Sequence, residues 1–292
     1  MRLLIKFNIL LILIFGVSVA ITAYVAHDFL QQNARNEVVQ QARLMMGAAG
    51  GMRTYTSQQL GPLLAAHERD SPTFAPQRVP AYSATEVFNY LRHDYPAYTY
   101  KEATLNPTNL RDRAVGWEAD IIEDFRNNPQ RGELIGQRDT PEGASLFLAR
   151  PIAAAPPCLA CHSVPAAAPA SMIASYGPDH GFGWQPGEVV AAQIVSVPMS
   201  VPVNMADRAF KNLLISLTGV FVFTLALLDL GLIIIVVHPV DRLSRMAEEI
   251  SKGNLNVPDI PVSGKDEISQ LARSFNHMHA SLRRALGMDA PE

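Results

Sequence analysis

Two long stretches without charge set the limits on what this chain folds into. Residues 7–26 hold no Asp, Glu, Lys or Arg, and residues 213–237 hold a single one, Asp229. At about 1.5 Å per helical residue, each stretch is long enough to cross a hydrocarbon layer of about 30 Å. Inside lipid such a segment satisfies its backbone as a helix. The composition agrees: 48% of the 292 residues are hydrophobic and 17% are charged. The net charge of −3 leaves no basic surplus for nucleic acid. The first stretch, with Arg2 and Lys6 ahead of it, is also read as a cleaved signal peptide, but its apolar run exceeds a usual signal core and no small-x-small site precedes His27. Two transmembrane helices are therefore expected, in the inner membrane of a bacterium.

Basic residues orient the chain. Arg2 and Lys6 place residues 1–6 in the cytoplasm, residues 27–212 in the periplasm and the segment from His238 back in the cytoplasm. Arg242 and Arg245 agree with this arrangement, whereas Arg208 and Lys211 oppose it. Asp229 reads either as a polar contact or coupling element between helices, or as an acid tolerated where the helix meets water.

In the exported block, small or apolar residues recur at Ala34, Val38, Ala42, Met45, Ala49 and Met52, which predicts one long helix over 28–60 that Pro62 ends. Shorter helices are expected around Thr85, Phe88 and Leu91, and over 117–126. Strand character lies at 98–104, 133–137, 144–152 and 188–197, with a hairpin turn at 139–143. Strands with helices before and between them, and no Gly-rich phosphate loop, predict an α+β sensor-type domain. Its last strand leads through Pro198 and Pro202 into the second membrane helix, so movement at the sheet is delivered straight into the membrane.

The two cysteines of the chain are the chemical centre. They read Cys158-Leu-Ala-Cys161-His162, the spacing of c-type haem attachment. Two thiols so placed each add to one haem vinyl group, and His162 becomes the proximal iron ligand. A structural zinc site wants four ligands, and the exported block has no second CxxC or HxxxH. A thioredoxin-like pair is disfavoured by the Pro156-Pro157 lead-in and the trailing His162. The sixth ligand is left open by sequence: Met46 and Met52 on the long helix are candidates, core packing is the alternative role for each, and an open position would admit a diatomic gas.

The runs Pro80-Ala-Tyr-Ser-Ala-Thr85, Lys101-Glu-Ala-Thr-Leu-Asn-Pro-Thr108, the CxxCH and Tyr176-Gly-Pro-Asp-His-Gly-Phe-Gly-Trp184 resemble, in order and separation, the Tll0287-like haem domain. The resemblance covers about residues 35–200 and implies a PAS-like sensor fold holding one haem c per chain on Cys158, Cys161 and His162. A family member takes its other axial ligand from a cysteine of the N-terminal helix, which this chain lacks. Within the implied site, Tyr55, Phe182 and Trp184 are expected along the haem edge, and Arg53 or Arg150 beside the propionates.

Beyond the second span, apolar residues fall at Val240, Leu243, Ala247 and Ile250, then at Ile268, Leu271, Phe275, Met278 and Leu282. These spacings of three and four, the connector between the two runs, Asp266-Glu267 and Phe275-Asn276 resemble a HAMP domain over 238–288, with 289–292 as a tail. An amphipathic hairpin lying on the membrane is the alternative. One chain cannot bury such seams alone, so a homodimeric four-helix coiled coil is expected, held by the HAMP and transmembrane helices. No kinase, cyclase or methyl-accepting segment follows, so a cytoplasmic partner is expected to read the signal. The expected function is a non-enzymatic haem sensor relaying redox state or ligand binding across the membrane. A membrane-anchored electron-transfer cytochrome is the alternative, and a peroxidase finds no distal acid–base pair in the sequence.

Overall fold

The computed structural model describes residues 2–68, 73–141, 143–262 and 264–286; the expected tail 289–292 lies outside them. In chain order the elements are α1 (Arg2–Tyr55), α2 (Gly61–Glu68), α3 (Pro80–Asp94), β1 (Thr99–Thr104), α4 (Gly116–Asn127), β2 (Leu134–Thr140), β3 (Gly143–Ala153), α5 (Leu159–His162), α6 (Ala170–Tyr176), β4 (Val189–Pro198), α7 (Ser200–Leu232), α8 (His238–Ser251) and α9 (Glu267–Ala285). Two long apolar helices thus flank an antiparallel α+β domain, and α1 and α7 carry the segments long and apolar enough to cross a membrane. The chain divides into two units, 26–210 and the remainder.

The first unit is built on a sheet of order β1-β4-β3-β2, antiparallel throughout. Alternation along the strands sends Tyr100, Leu146, Leu148, Val195 and Val197 to one face and Ala103, Ala149, Ala192 and Ile194 to the other. The first face packs on Val38, Ala42, Met46 and Ala49 of α1 and Phe88 of α3; the second packs on Ile121, Ile122 and Phe125 of α4. Helical spacing of four, four and three along α1 is what makes that stripe continuous.

Pro62 does not end the first helix. A π turn over Thr56–Leu60 intervenes, in which Gly61 N–H donates to Thr56 O, and α2 continues to Glu68. The wider turn takes up the lost amide and the ring of Pro62, which an unbroken α-helix would not accommodate. The expected hairpin turn is also tighter than the 139–143 reading: Asp139 pairs with Ala144 and Thr140 with Gly143, so both strands extend into it.

In the second unit, Phe15 stacks on Phe221 at 3.6 Å between centroids, and Asn8 Nδ2 donates to Asp229 Oδ2 at 3.0 Å. Leu243, Ile260 and Ala272 form a small core with Met246 and Phe275 against it. Asn276 grips the connector, accepting from Ile260 N–H at 3.0 Å and donating to Ile260 O at 2.9 Å. His279 is 1% exposed, with its Nε2 3.1 Å from Leu255 O. The expected seam is therefore divided: Leu271, Met278 and Leu282 are exposed, while Ala272, Phe275 and His279 face the connector. Within one chain the connector covers only one side of α9.

Candidate functional site

The CxxCH motif is placed by the end of β3. Ala154 N–H donates to Glu188 O, and Ala154 O accepts from Gly187 N–H, each at 2.8 Å, which fixes where the chain leaves the sheet. Pro156 and Pro157 then start a single 3-10 turn through Cys158, followed by α5. Pro's fixed φ and missing N–H suit it to this opening position. At about 100° per residue, positions i, i+3 and i+4 share one side of a helix, so Cys158, Cys161 and His162 project together. Both cysteines are half-buried.

His162 is held more tightly than the sequence foretells. Its Nδ1 lies 2.7 Å from Gly181 O. A carbonyl only accepts, so Nδ1 carries the hydrogen and Nε2 is left with its lone pair outward. The imidazole also stacks on Trp184, 4.0 Å between centroids and 13° from parallel. Burial pushes the His162 ring below its usual range, only partly opposed by the Gly181 carbonyl. The group is therefore a neutral, oriented nitrogen donor, as a proximal ligand must be.

The Gly181 carbonyl is itself positioned. Gly177, Gly181 and Gly183 all have positive φ. Asn106 Oδ1 accepts from Gly181 N–H at 3.1 Å, and Thr108 presses against Gly181 so closely that a Cβ there would lie 1.9 Å from its Oγ1. A cavity of about 220 Å³ beside Trp184 is lined in part by Thr104, Asn106 and Phe182. Asn106 and Thr108 thus support Gly181 and, through it, His162; all three lie in the runs that carry the resemblance, but chain patterning alone does not pair them. The clustered glycines signal an unusual loop, but nothing local says that a segment some 70 residues earlier closes on it.

The other expected site residues are distributed differently. Arg53 forms an ion pair with Glu102, which also accepts from Tyr100 OH at 2.7 Å, and Gln193 donates to that hydroxyl at 2.8 Å. Burial alone would lower the Arg53 guanidinium; the Glu102 carboxylate outweighs it and holds the group above its ordinary value. Arg53 also interacts electrostatically with Cys158, which brings this part of α1 within electrostatic reach of the motif. Arg150 is engaged by Glu133 at 2.9 Å, which pairs with Arg43 as well. Met46, 2% exposed, belongs to the core under the sheet, and Met52 packs half-buried against that core. Tyr55 is 46% exposed, and Phe182 is half-buried in the glycine loop.

The Tll0287-like family model matches residues 31–198, more than half of the chain. The chain belongs to the Tll0287-like family. A HAMP domain model matches residues 232–284 behind this Tll0287-like domain. Among solved structures, the crystal structure of the cyanobacterial heme-protein Tll0287 is similar at 16% identity and a TM-score of 0.42, covering 56% of this chain and 95% of that one. Among curated proteins, the sensor histidine kinase WalK of Bacillus subtilis (strain 168) is 34% identical over 105 residues, which is 36% of this chain and 17% of WalK. The chain thus spans about a sixth of that relative's length.

Proposed function

We propose that this chain is a membrane-spanning haem sensor. Residues 7–26 and 213–237 are its spans, residues 27–212 its periplasmic domain of PAS-like fold, and residues 238–288 a cytoplasmic HAMP domain that works as a dimer. One haem c per chain is held by thioether bonds to Cys158 and Cys161, with Nε2 of His162 on the iron. When bound, the haem supplies a one-electron redox couple and, where the sixth ligand is displaced, a coordination position for a small ligand. The observation that carries the proposal is the His162–Gly181 hydrogen bond, because it fixes the tautomer a proximal ligand needs in a ring that burial keeps neutral.

The chain's own residues do the rest. Trp184 fixes the plane of the imidazole, and Arg53, tied to Glu102, sets a positive charge on the side of Cys158. Met52 precedes Arg53 and is the methionine we assign as candidate sixth ligand, since Met46 already fills the core. Ser200, the first residue of α7, lies two positions beyond the end of β4, so displacement of the sheet passes into the second span. The exposed Leu271, Met278 and Leu282 supply a surface for the second copy. Family membership, the HAMP segment and likeness to part of a sensor kinase support signalling over plain electron transfer.

The test is a visible spectrum of the purified full chain, oxidised, reduced and with CO, combined with cysteine crosslinking between α9 helices of two copies. A c-type spectrum is expected, lost from Cys158→Ser/Cys161→Ser, altered by His162→Ala, and accompanied by crosslinking yields that change with haem state. Crosslinking that is the same in all three states would sink the sensor reading and leave an anchored cytochrome. Absence of covalent haem would sink both.

A further inference from the structure

Asn8 and Asp229 make one hydrogen bond, from Asn8 Nδ2 to Asp229 Oδ2 at 3.0 Å. Among the described residues, the other oxygen of each side chain, Asn8 Oδ1 and Asp229 Oδ1, is closed off from solvent and has no partner. Two oxygens facing an apolar surround without a donor are costly, and in hydrocarbon more so than in a soluble core. Something must donate. The sequence offers no cation: neither apolar stretch contains Lys, Arg or His, and Lys6 lies two positions from Asn8, on a different side of the helix. A second copy of the chain is excluded as the donor, because both atoms are already enclosed by this one. The Phe15–Phe221 stack two turns along the same pair of helices keeps the seam closed.

The geometry points to a proton-binding site at this pair: Asp229 is present as the acid, and its Oδ1–H donates to Asn8 Oδ1, closing an acid–amide ring with two antiparallel hydrogen bonds. Each group is then a donor and an acceptor once, and no net charge remains between the helices. The ring holds α1 and α7 in one register inside the membrane without the uncompensated charge that a carboxylate there would bring. Of the two readings that sequence left for Asp229, this selects the contact between helices and adds the proton that makes it neutral. The inference rests on residues 7–26 and 213–237 lying in lipid and is independent of the haem.

Infrared difference spectroscopy of the full haem-loaded chain in lipid nanodiscs tests it, in neutral sodium-free buffer. Wild type minus Asp229→Asn is expected to show a protonated-carboxyl C=O band that shifts in deuterium oxide. Asn8→Leu is expected to move that band upward, as the carbonyl loses its hydrogen bond. Asp229→Asn keeps an amide–amide ring, so an unchanged visible spectrum serves as the check on folding. A difference containing only ionised-carboxylate bands would overturn the proposal. So would a carboxyl band that Asn8→Leu leaves in place, or one that disappears when sodium is added, which would make the pair a metal-cation site instead. A chain without covalent haem that still shows the band would refute the sensor reading alone.

Discussion

Gly181→Ala is the sharpest test of how His162 is held. Two costs are expected to combine at this position. Its backbone has φ of +83°, where an L side chain costs about 1–2 kcal/mol. Its new Cβ would lie 1.9 Å from Thr108 Oγ1 and 2.9 Å from Thr108 Cα, so the clash involves backbone and not only a movable hydroxyl. Overpacking of this kind costs about 1–3 kcal/mol, for a total of roughly 2–5 kcal/mol. At about 2–4 °C per kcal/mol for a domain of this size, the melting temperature of the haem domain should fall by roughly 5–20 °C. Gly183→Ala is the control: its φ is +87°, but nothing lies within 4 Å of the added atom, so only the backbone cost of about 1–2 kcal/mol applies. Melting followed by circular dichroism in the Soret region reads the loss of haem-pocket order directly. Thr108→Gly should restore part of the Gly181→Ala loss and none of the Gly183→Ala loss. Equal shifts for the two alanine variants, or no rescue by Thr108→Gly, would refute the claim that close approach of Thr108 fixes the carbonyl that orients His162.

Other expectations follow from the same packing. Glu102→Leu strands the Arg53 guanidinium and should cost about 3–5 kcal/mol, whereas the double variant Arg53→Met/Glu102→Leu should recover much of it; thermal unfolding of the four-member cycle measures the difference. Burial raises Asp112 from its ordinary 3.8 to about 6, only partly countered by Arg111. Because the folded state then holds its proton more tightly than the unfolded chain, this group favours folding below about pH 4 and loses that contribution as pH rises through about 6. Asp112→Asn should therefore raise the melting temperature at pH 7 and change it little at pH 4, and the opposite order would contradict the assignment. Asn276→Ala removes both bonds to Ile260 and should cost about 1–3 kcal/mol locally, seen as faster amide exchange at Ile260.

What sequence made legible is what short-range chemistry encodes. The apolar stretches, the strands and the CxxCH turn each carry their signal within a few residues, and the structure draws α3, α4 and the four strands close to where periodicity put them. The supports of the site are encoded at long range. Arg53 meets Glu102 across 49 positions, and Asn106 meets Gly181 across 75. No local pattern distinguishes an arginine that binds a buried acid from one that faces water. Pro62 misled for a related reason: its effect depends on whether the preceding turn widens, and that is settled by packing. On α9 the heptad correctly marked apolar positions, but which half meets the connector depends on Leu255 and Ile260, outside the repeat.

The sheet order has a consequence for how the chain comes to be built. β4 is the last strand in sequence, yet it sits between β1 and β3, with register contacts from Thr99↔Ser196 on one edge to Ser145↔Pro198 on the other. Until residue 198 is available, β1 has no neighbour, and the long loop closures this demands make folding slow. The bonds that lock the cysteine turn come from the same late segment: Gly181 to His162, and Gly187 and Glu188 to Ala154. The Cys158–His162 stretch is therefore synthesised ahead of its own enclosure. The order of the strands leaves an interval in which both cysteine thiols are open to reaction before folding closes over them.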